Sequence, residues 1–303
     1  MELINKIENI KKKISGKILI NGDLSKLSWF NIGGLATVLF KPNNLNELII
    51  FLKDLKEDNN IKVIGAGSNI LIRDGGFEGV IIKLGDSFNR LSLLDDNTLI
   101  AGASALDKKV SEFAKENSLS GFEFLSCIPG SIGGAIRMNS GCFDEDISKI
   151  LISVQVLDLE GIMRVIPVSD IKFQYRGCSL EDNLIFVSAT FRGIKDKKLN
   201  IEKKIKQLVE KKKKAQPSKI KTCGSTFKNP KEDKAWKLIS KSGCAGMSVG
   251  DAYISEKHCN FFVNKGNASS QDLENLINIV KQKVLFKTGI ELELELKIIG
   301  KKK

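Results

Sequence analysis

The stretch GFEFLSCIPGSIGGAIRMNSG, residues 121–141, decides the fold of this chain. Glycines and a proline stand there among phenylalanine, leucine and isoleucine, and charged residues are few. Glycine-rich backbone in an otherwise apolar segment usually marks a place where a ligand or another backbone segment comes close. We therefore expect residues 121–141 to line a binding site.

A second glycine-rich stretch, GAGSNILIRDGGFEGVII, covers residues 65–82. Its small residues would let backbone N–H groups approach an anion such as a pyrophosphate. It is neither a Rossmann fingerprint nor a Walker loop, because the glycine spacing differs, no Gly-Lys-Ser/Thr follows, and the next segment reads as a strand. A plain glycine hairpin is the alternative. Together, the two stretches indicate one extended dinucleotide cofactor.

Hydrophobic periodicity predicts an α+β fold with at least two parts. The first part, of about 195 residues, carries both glycine-rich stretches. Helices are predicted at residues 3–14, 45–56, 105–117, 200–214 and 271–286. Strands are predicted at residues 36–40, 61–64, 69–73, 80–84, 98–102, 151–158, 162–168, 184–191 and 290–299.

Composition excludes several classes of protein. The six cysteines form no CxxC pair and match no zinc spacing, so we expect reduced thiols and no metal. His258 is the one histidine, which excludes a histidine-rich metal site. No apolar run is long enough to span a bilayer, and the N-terminal segment lacks the apolar core of a signal peptide. We expect a cytoplasmic protein with no membrane insertion.

The net charge of +12 admits nucleic acid, a membrane surface or an anionic small molecule as partner. The densest basic run, Lys211 to Lys214, lies in a predicted helix and has no aromatic residues between its lysines. Because single-stranded nucleic-acid sites usually combine basic and aromatic residues, we expect no nucleic-acid partner. A solvated helix face is the simplest interpretation of most of these lysines.

Eight motifs in order along nearly the whole chain resemble those of the UDP-N-acetylenolpyruvoylglucosamine reductases. Four lie in the first part: IGG at 32–34, GAGSN at 65–69, IPGSIGGA at 128–135 and MNSG at 138–141. Four lie further on: YR at 175–176, GSTFKNP at 224–230, SEKHCNFFVN at 255–264 and LELELKIIG at 292–300. Such an ordered series is far more specific than any one of its members.

This resemblance implies a vanillyl-alcohol-oxidase-like FAD fold. The two FAD-binding subdomains would cover residues 1–85 and 86–198. A separate α+β substrate-binding domain would cover residues 199–303, with its final strand returning towards the active site. The chain would belong to the shorter subclass, which lacks a tyrosine-bearing insertion.

The resemblance also implies a reaction. NADPH would reduce a non-covalent FAD, and UDP-N-acetylglucosamine enolpyruvate would become UDP-N-acetylmuramate for peptidoglycan synthesis. The partner would be this UDP-sugar, with no obligatory protein partner. The residues matching the FAD-binding motifs are Gly65, Ala66, Gly67, Ser68, Asn69, Ile128, Pro129, Gly130, Gly133, Gly134 and Asn139.

Three residues match the family's catalytic positions. Ser225 would donate the proton to carbon, Arg176 would face the substrate carboxylate, and Glu295 would help polarise that carboxylate. From the residues alone, these could equally be a turn serine, a surface ion pair and a solvated strand face. Alternation in ELELELKI would place Glu295 with the other glutamates, opposite the leucines.

Four residues match substrate-contacting positions: Tyr175, Arg176, Lys213 and Asn229. The chain departs from the family pattern at Cys127, where glycine is usual, and at SGCFDEDI, which replaces a more typical AGAYG. Two other hypotheses stay open: another FAD-dependent oxidoreductase of the same fold, and a basic nucleic-acid-binding protein. The first would not predict the set Arg176, Ser225, Asn229 and Glu295, and the second would show no bound chromophore.

Overall fold

The structure is a computed structural model, and it describes residues 2–55 and 60–303. Contacts group the chain into two compact units. The first contains the described residues of Met1–Ile20, Val38–Ala66 and Gly79–Lys212. The second contains Asn21–Thr37, Gly67–Glu78 and Lys213–Lys303.

The described chain contains seven α-helices among many short strands. They are α1 (Glu2–Lys11), α2 (Leu45–Leu55), α3 (Asp107–Glu116), α4 (Ile132–Arg137), α5 (Lys198–Ala215), α6 (Ala235–Lys241) and α7 (Ser270–Thr288). The longest, α7, begins with a capping box, in which Ser269 and Asp272 exchange side-chain-to-backbone hydrogen bonds. It ends at Gly289, whose φ of 72° is the left-handed value that stops a helix.

The strands are mostly short. In chain order they are β1 (Lys17–Asp23), β2 (Leu35–Lys41), β3 (Ile61–Val63), β4 (Ile70–Ile72), β5 (Phe77–Ile82), β6 (Leu91–Leu93), β7 (Thr98–Gly102), β8 (Leu119–Ser120), β9 (Gly141–Cys142), β10 (Glu145–Asp146), β11 (Leu151–Leu157), β12 (Met163–Pro167), β13 (Phe173–Gln174), β14 (Gly177–Cys178), β15 (Ile185–Arg192), β16 (Ile194–Lys195), β17 (Ser248–Val249), β18 (Ala252–Ile254), β19 (Phe262–Asn264) and β20 (Lys297–Ile299).

The first unit contains a five-stranded antiparallel sheet of order β12-β11-β15-β7-β6. Val154 and Val156 of β11 are fully buried, because alternate side chains of a strand point to the same face. A four-stranded sheet of order β1-β2-β5-β3 includes the parallel pair β3 and β5. Apolar residues of these sheets and of α1, α2, α3 and α4 form one hydrophobic core.

The second unit has its own hydrophobic core, built largely from α6, α7 and the meander β17-β18-β19. Phe227 is fully buried in this core and meets Phe262 edge-on, with ring centroids 5.8 Å apart. In the same unit, β20 pairs in parallel with β4. The final strand, β20, therefore lies directly beside β4, the strand that follows the GAGSN motif at residues 65–69.

Most predicted elements are confirmed with small shifts of their ends. The strand after GAGSN is present as β4, which explains why the motif does not start a Rossmann helix. The predicted final strand is shorter than expected, because only Lys297–Ile299 pairs regularly. The last residue of the predicted helix 45–56 lies outside the described residues. All six cysteines are free thiols, as expected.

Elements that the sequence patterns did not indicate include β1, α4 and α6. Helix α4 lies inside the glycine-rich stretch 121–141, where the sequence patterns indicate no helix. Two glycines within a six-residue helix give it low intrinsic helix propensity, so its surroundings must stabilise it. Across residues 2–55 and 60–303, no helix combines the length and the apolar character needed to cross a membrane.

Candidate active site

In the first unit, the two glycine-rich stretches come into close contact. A Cβ atom on Gly65 would lie 2.7 Å from the Ser131 hydroxyl and 4.0 Å from the backbone nitrogen of Gly134. A side chain at residue 65 would collide with the opposite loop, so this approach requires glycine. Glycine-rich sequence predicts a close approach at these stretches, and each stretch provides the backbone that the other approaches.

The loop before α4 is anchored to the residues that begin α3. The Asp107 N–H donates to the Gly130 carbonyl at 3.1 Å, and the Ile132 N–H donates to the Ala105 carbonyl at 3.0 Å. A Cβ atom on Gly130 would lie 2.5 Å from a carboxyl oxygen of Asp107. Glycine at residue 130 therefore makes room for a buried acid behind the loop.

Asp107 is fully buried, and neither of its carboxyl oxygens has a hydrogen-bond partner in the described part of the chain. Burial raises the pKa of the Asp107 carboxyl well above its usual range. The cause is desolvation, which penalises the charged form. No atom of this side chain reaches solvent, so Asp107 supports the loop from behind and does not face a ligand.

Lys83 supplies a cation to the same region, which sequence reasoning missed. Its ammonium group donates a hydrogen bond to the carbonyl of Gly65. Burial, and to a lesser extent the positive charge of Lys41, lowers the pKa of the Lys83 side chain. The signal in the sequence was Lys83 itself, because a charged side chain is unusual within a buried apolar strand such as VIIKL at residues 80–84.

The rest of the GAGSN motif belongs to the second unit. Gly67 has a φ of +77°, and a Cβ atom there would lie 1.8 Å from the carbonyl oxygen of Leu27. Both the backbone angle and the contact exclude other residues. The Asn69 side-chain amide donates to the Glu295 carbonyl at 3.1 Å, and the Lys297 N–H donates to the Asn69 carbonyl at 3.2 Å.

Ser225 and Glu295 lie on neighbouring backbone segments of the second unit. The Thr226 carbonyl accepts hydrogen bonds from the N–H groups of Glu295, at 2.9 Å, and Leu296, at 3.2 Å. The backbone of Ser225 itself bridges to Phe261. Two residues that are 70 positions apart in sequence are thus brought together, and Asn69 joins them through Glu295.

The side chains of residues 291–296 follow the predicted alternation, with one informative exception. Leu292 and Leu296 are buried, and Glu291 and Glu293 are exposed. Glu295 is half-buried, although it shares the parity of the exposed glutamates. The tertiary structure therefore separates Glu295 from the solvated face that the pattern alone suggested.

Asn260 fixes the backbone beside Ser225. Its side-chain oxygen accepts from the Phe227 N–H at 2.9 Å, and its amide nitrogen donates to the Phe227 carbonyl at 2.8 Å. Its own carbonyl accepts from the Thr226 N–H at 2.8 Å. Asn260 is 2% exposed, so these bonds form in a dry environment. The sequence alone does not indicate this role of Asn260.

Arg176 lies in the first unit, in the two-residue turn between β13 and β14. Its φ of 59° is left-handed, and its guanidinium lies 4.8 Å from the centre of the Tyr175 ring. The guanidinium also donates to the carbonyl of Gly141 at 3.2 Å, at the end of the glycine-rich stretch 121–141. Arg176 is half-buried, and Tyr175 is exposed.

The remaining predicted residues take several positions. Asn139 is buried with a φ of 39°; its amide accepts from Ser148 N–H and donates towards the Gln174 carbonyl, so it fastens the loop to the Arg176 hairpin. Asn229 is exposed and accepts from Ala235 N–H at the start of α6. Lys213 is exposed on α5, and its carbonyl accepts from the Lys257 ammonium at 2.7 Å.

The residues of the first unit fit a bound FAD. The Gly65 loop approaches the Gly130–Gly134 loop beside the Ser131 hydroxyl, which has no partner among the described residues, and Lys83 adds a positive charge. A glycine-lined backbone beside a cation is suited to a pyrophosphate. In the described chain, no group of three or more histidine, cysteine or acidic residues is arranged to hold a metal ion.

Comparison with known proteins defines first a class and then a family. A family model described as an FAD binding domain matches residues 36–166, which places the chain among FAD-binding proteins. A second model, described as the C-terminal domain of UDP-N-acetylenolpyruvoylglucosamine reductase, matches residues 216–299.

Proteins with that name are similar over almost their whole length. The reductase of Pelagibacter ubique is 51% identical over 98% of this chain and 99% of its own. The reductase of Rickettsia prowazekii is 44% identical over 95% of this chain and 97% of its own. The crystal structure of the Thermus caldophilus reductase aligns with a TM-score of 0.83 and 28% identity, covering 95% of this chain and 100% of that one.

The chain belongs to the UDP-N-acetylenolpyruvoylglucosamine reductase family, and it is an oxidoreductase. The resemblance found in the sequence is therefore confirmed, and so is the predicted α+β fold with an FAD-binding region and a separate second part. The domain boundaries and the roles of individual site residues stay predictions.

Proposed function

We propose that this protein uses NADPH and a non-covalent FAD to reduce UDP-N-acetylglucosamine enolpyruvate to UDP-N-acetylmuramate. The observation that carries the proposal is the position of Ser225 and Glu295 on adjacent backbone segments, within the region that matches the reductase family model. FAD would supply the hydride step, by accepting a hydride from NADPH and passing it to the enolpyruvyl double bond. The protein positions the substrate, stabilises charge and supplies a proton.

Ser225 is the proposed proton donor. An unperturbed serine hydroxyl is a weak acid, so its contribution depends on placement against the carbon that takes the proton. The backbone around Ser225 is well suited to placement, because the adjacent Thr226 is bonded to both Asn260 and Glu295. Ser225 itself is half-buried and so remains accessible to a substrate.

Arg176 and Glu295 are the proposed partners of the substrate carboxylate. The guanidinium has a fixed charge and a planar fork that match a carboxylate gaining electron density in the transition state. Arg176 occupies the turn between β13 and β14 with a left-handed φ, so it lies outside the regular β pairing of that hairpin. Glu295 would polarise the same carboxylate, and its partial burial distinguishes it from Glu291 and Glu293.

Tyr175, Lys213 and Asn229 are the proposed further substrate contacts. All three are exposed, as residues that meet a ligand from solution should be. The Lys257 ammonium group donates to the Lys213 carbonyl, so the Lys257 charge lies beside the backbone from which the Lys213 side chain extends. Two positive charges suit the diphosphate of a UDP-sugar, and we expect no nucleic acid to be needed for activity.

The test compares wild type with Ser225→Ala by NADPH absorbance and flavin spectra. Wild type should oxidise NADPH continuously only when the enolpyruvyl sugar is present. The variant should still reduce its flavin with NADPH, and its turnover should fall by about 10²- to 10⁴-fold, which is the usual contribution of a positioned proton donor. Ser248→Ala, an exposed serine of the second unit, is the matched control and should turn over normally.

Two results would contradict the proposal in different ways. If the flavin is reduced but the sugar nucleotide does not reoxidise it, the substrate is wrong and another FAD-dependent reaction replaces it. If Ser225→Ala turns over like Ser248→Ala, the reductase assignment stands and the proton comes from another group.

A further inference from the structure

Two cysteines flank residues 128–141, the glycine-rich loop that contains α4 in the first unit. Cys127 ends the 3₁₀ turn Glu123–Cys127 directly before Ile128, and Cys142 follows Gly141 in β9. The Cys142 thiol donates to the carbonyl of Phe124, at 3.3 Å, inside that 3₁₀ turn. The two cysteines are therefore neighbours in space, although 14 residues of loop and helix separate them in sequence.

The surroundings of this pair favour one thiolate. The neighbouring Cys142 thiol lowers the pKa of Cys127 to about 6, and the Ser126 hydroxyl, 3.7 Å from the Cys127 sulfur, acts in the same direction. The charge of Lys212 adds to the effect, and its ammonium group donates to the Cys127 carbonyl at 2.5 Å. The pKa of Cys142 is raised, chiefly by the neighbouring Cys127 thiol and then by burial.

We propose that Cys127 and Cys142 are a redox-active thiol pair, which hydrogen peroxide converts into a disulfide that closes the loop 128–141 at both ends. Cys127 is only 5% exposed, whereas Cys142 is half-buried, so the oxidant reaches the pair from the Cys142 side. Thiolate character and access together determine which cysteines oxidise.

The chemistry balances with one peroxide molecule. The Cys127 thiolate attacks a peroxide oxygen, so that an S–O bond forms, the O–O bond breaks, and a sulfenic acid and hydroxide result. Hydroxide takes the proton of Cys142, and the new thiolate attacks the sulfenic sulfur. An S–S bond forms, the S–O bond breaks, and the second hydroxide leaves as water with the proton first lost by Cys127. Two thiols are oxidised, and one peroxide is reduced to two waters.

The second unit supplies an internal control. Cys244 and Cys259 are both buried in the hydrophobic core of that unit. Burial raises the pKa of both thiols. This pair lacks a lowered pKa and stays protonated at neutral pH, so it should resist oxidation under conditions that oxidise Cys127 and Cys142.

The test treats the full-length, flavin-loaded protein with graded hydrogen peroxide. Remaining thiols are then alkylated under denaturing conditions, and peptides are mapped by mass spectrometry without reduction. The first cross-linked peptide should join Cys127 to Cys142, and dithiothreitol should reverse the link. A Cys142→Ser variant should instead trap Cys127 as a sulfenic acid that reacts with dimedone. Absence of the link, or a Cys244–Cys259 link at equal or lower peroxide, would overturn the proposal.

A second readout tests the closed loop. Oxidised protein should release FAD at least about threefold more slowly than reduced protein, because the bridge restricts opening of the loop. This readout rests on the proposed FAD site, whereas peptide mapping does not. A mapped disulfide with unchanged FAD release would therefore contradict the expected effect of the bridge on FAD release and leave the redox-active thiol pair in place.

Discussion

Two buried polar side chains, one in each unit, support the candidate site in opposite ways. Asn260 is 2% exposed, and both ends of its amide bond to the backbone of Phe227. Asp107 is fully buried behind Gly130, and neither of its oxygens has a hydrogen-bond partner among the described residues. The first side chain stabilises the fold, and the second is tolerated only in its neutral form.

The difference shows what burial does to a polar group. A satisfied amide in a dry environment specifies one backbone arrangement, because any other leaves several groups unpaired. A buried carboxyl without partners keeps its proton, which is why its pKa is raised. The segment beside Ser225 should therefore be stable at any moderate pH, whereas the loop at Gly130 should depend on pH.

Asn260→Ala should produce the largest effect. It removes two hydrogen bonds and leaves the N–H and the carbonyl of Phe227 unpaired, which should lower the free energy of unfolding by about 3 kcal/mol. Urea denaturation followed by far-UV circular dichroism measures this change. Asn267→Ala, at an exposed residue of the same unit, is the control and should change stability by less than about 0.5 kcal/mol. Equal losses in the two variants would show that Asn260 has no special role.

Asp107→Asn should stabilise the protein, and increasingly so as the pH rises. The folded-state pKa is raised, so the stability that Asp107 contributes is present below the unfolded-state pKa and is lost as pH rises through the folded-state value. The stability difference between variant and wild type should be small near pH 4. Above that it should grow by at most about 1.4 kcal/mol per pH unit.

The measurement is urea denaturation at several pH values. The control is Asp95→Asn. The Asn97 N–H donates to the Asp95 carboxylate at 2.8 Å and lowers the pKa of Asp95, so the pH dependence of its contribution to stability has the opposite sign. Asp95 contributes stability above its unfolded-state pKa that is lost as the pH falls through its lowered folded-state value. An Asp107→Asn curve parallel to wild type would mean that the carboxyl has a partner and an ordinary pKa.

Arg176→Lys should have the smallest effect on stability. Arg176 lies in a local, partly exposed turn, so the free energy of unfolding should change by less than about 0.5 kcal/mol. Turnover should nevertheless fall roughly 10- to 100-fold, because lysine keeps the charge but loses the planar fork that binds a carboxylate. Steady-state NADPH oxidation and thermal unfolding of the same preparations separate the two effects. A stability loss matching that of Asn260→Ala would mean that Arg176 is a structural residue.

The fold and most of the candidate residues could be predicted from sequence where the signal is local. Apolar spacing in residues 45–56 and 271–286 predicts amphipathic helices, and the short run TLIAG at 98–102 predicts a strand. Helix α4 could not be predicted this way, because its glycines oppose helix formation and only its neighbours favour it. The same limit hid Lys83, whose partner is a carbonyl 18 residues away.

The amino-acid sequence by itself determined the α+β class, the two glycine-rich loops and the family, because the class follows from local periodicity and the loops and family from short motifs in a fixed order. Only the tertiary structure decided which glutamate of ELELELKI is half-buried, that Asn260 supports the Ser225 segment, and that Cys142 bonds to the turn that ends at Cys127. The physical reason is that burial, pKa and hydrogen-bond satisfaction depend on neighbours that are distant in sequence. A local pattern can place a side chain on a face, but it cannot say what packs against that face.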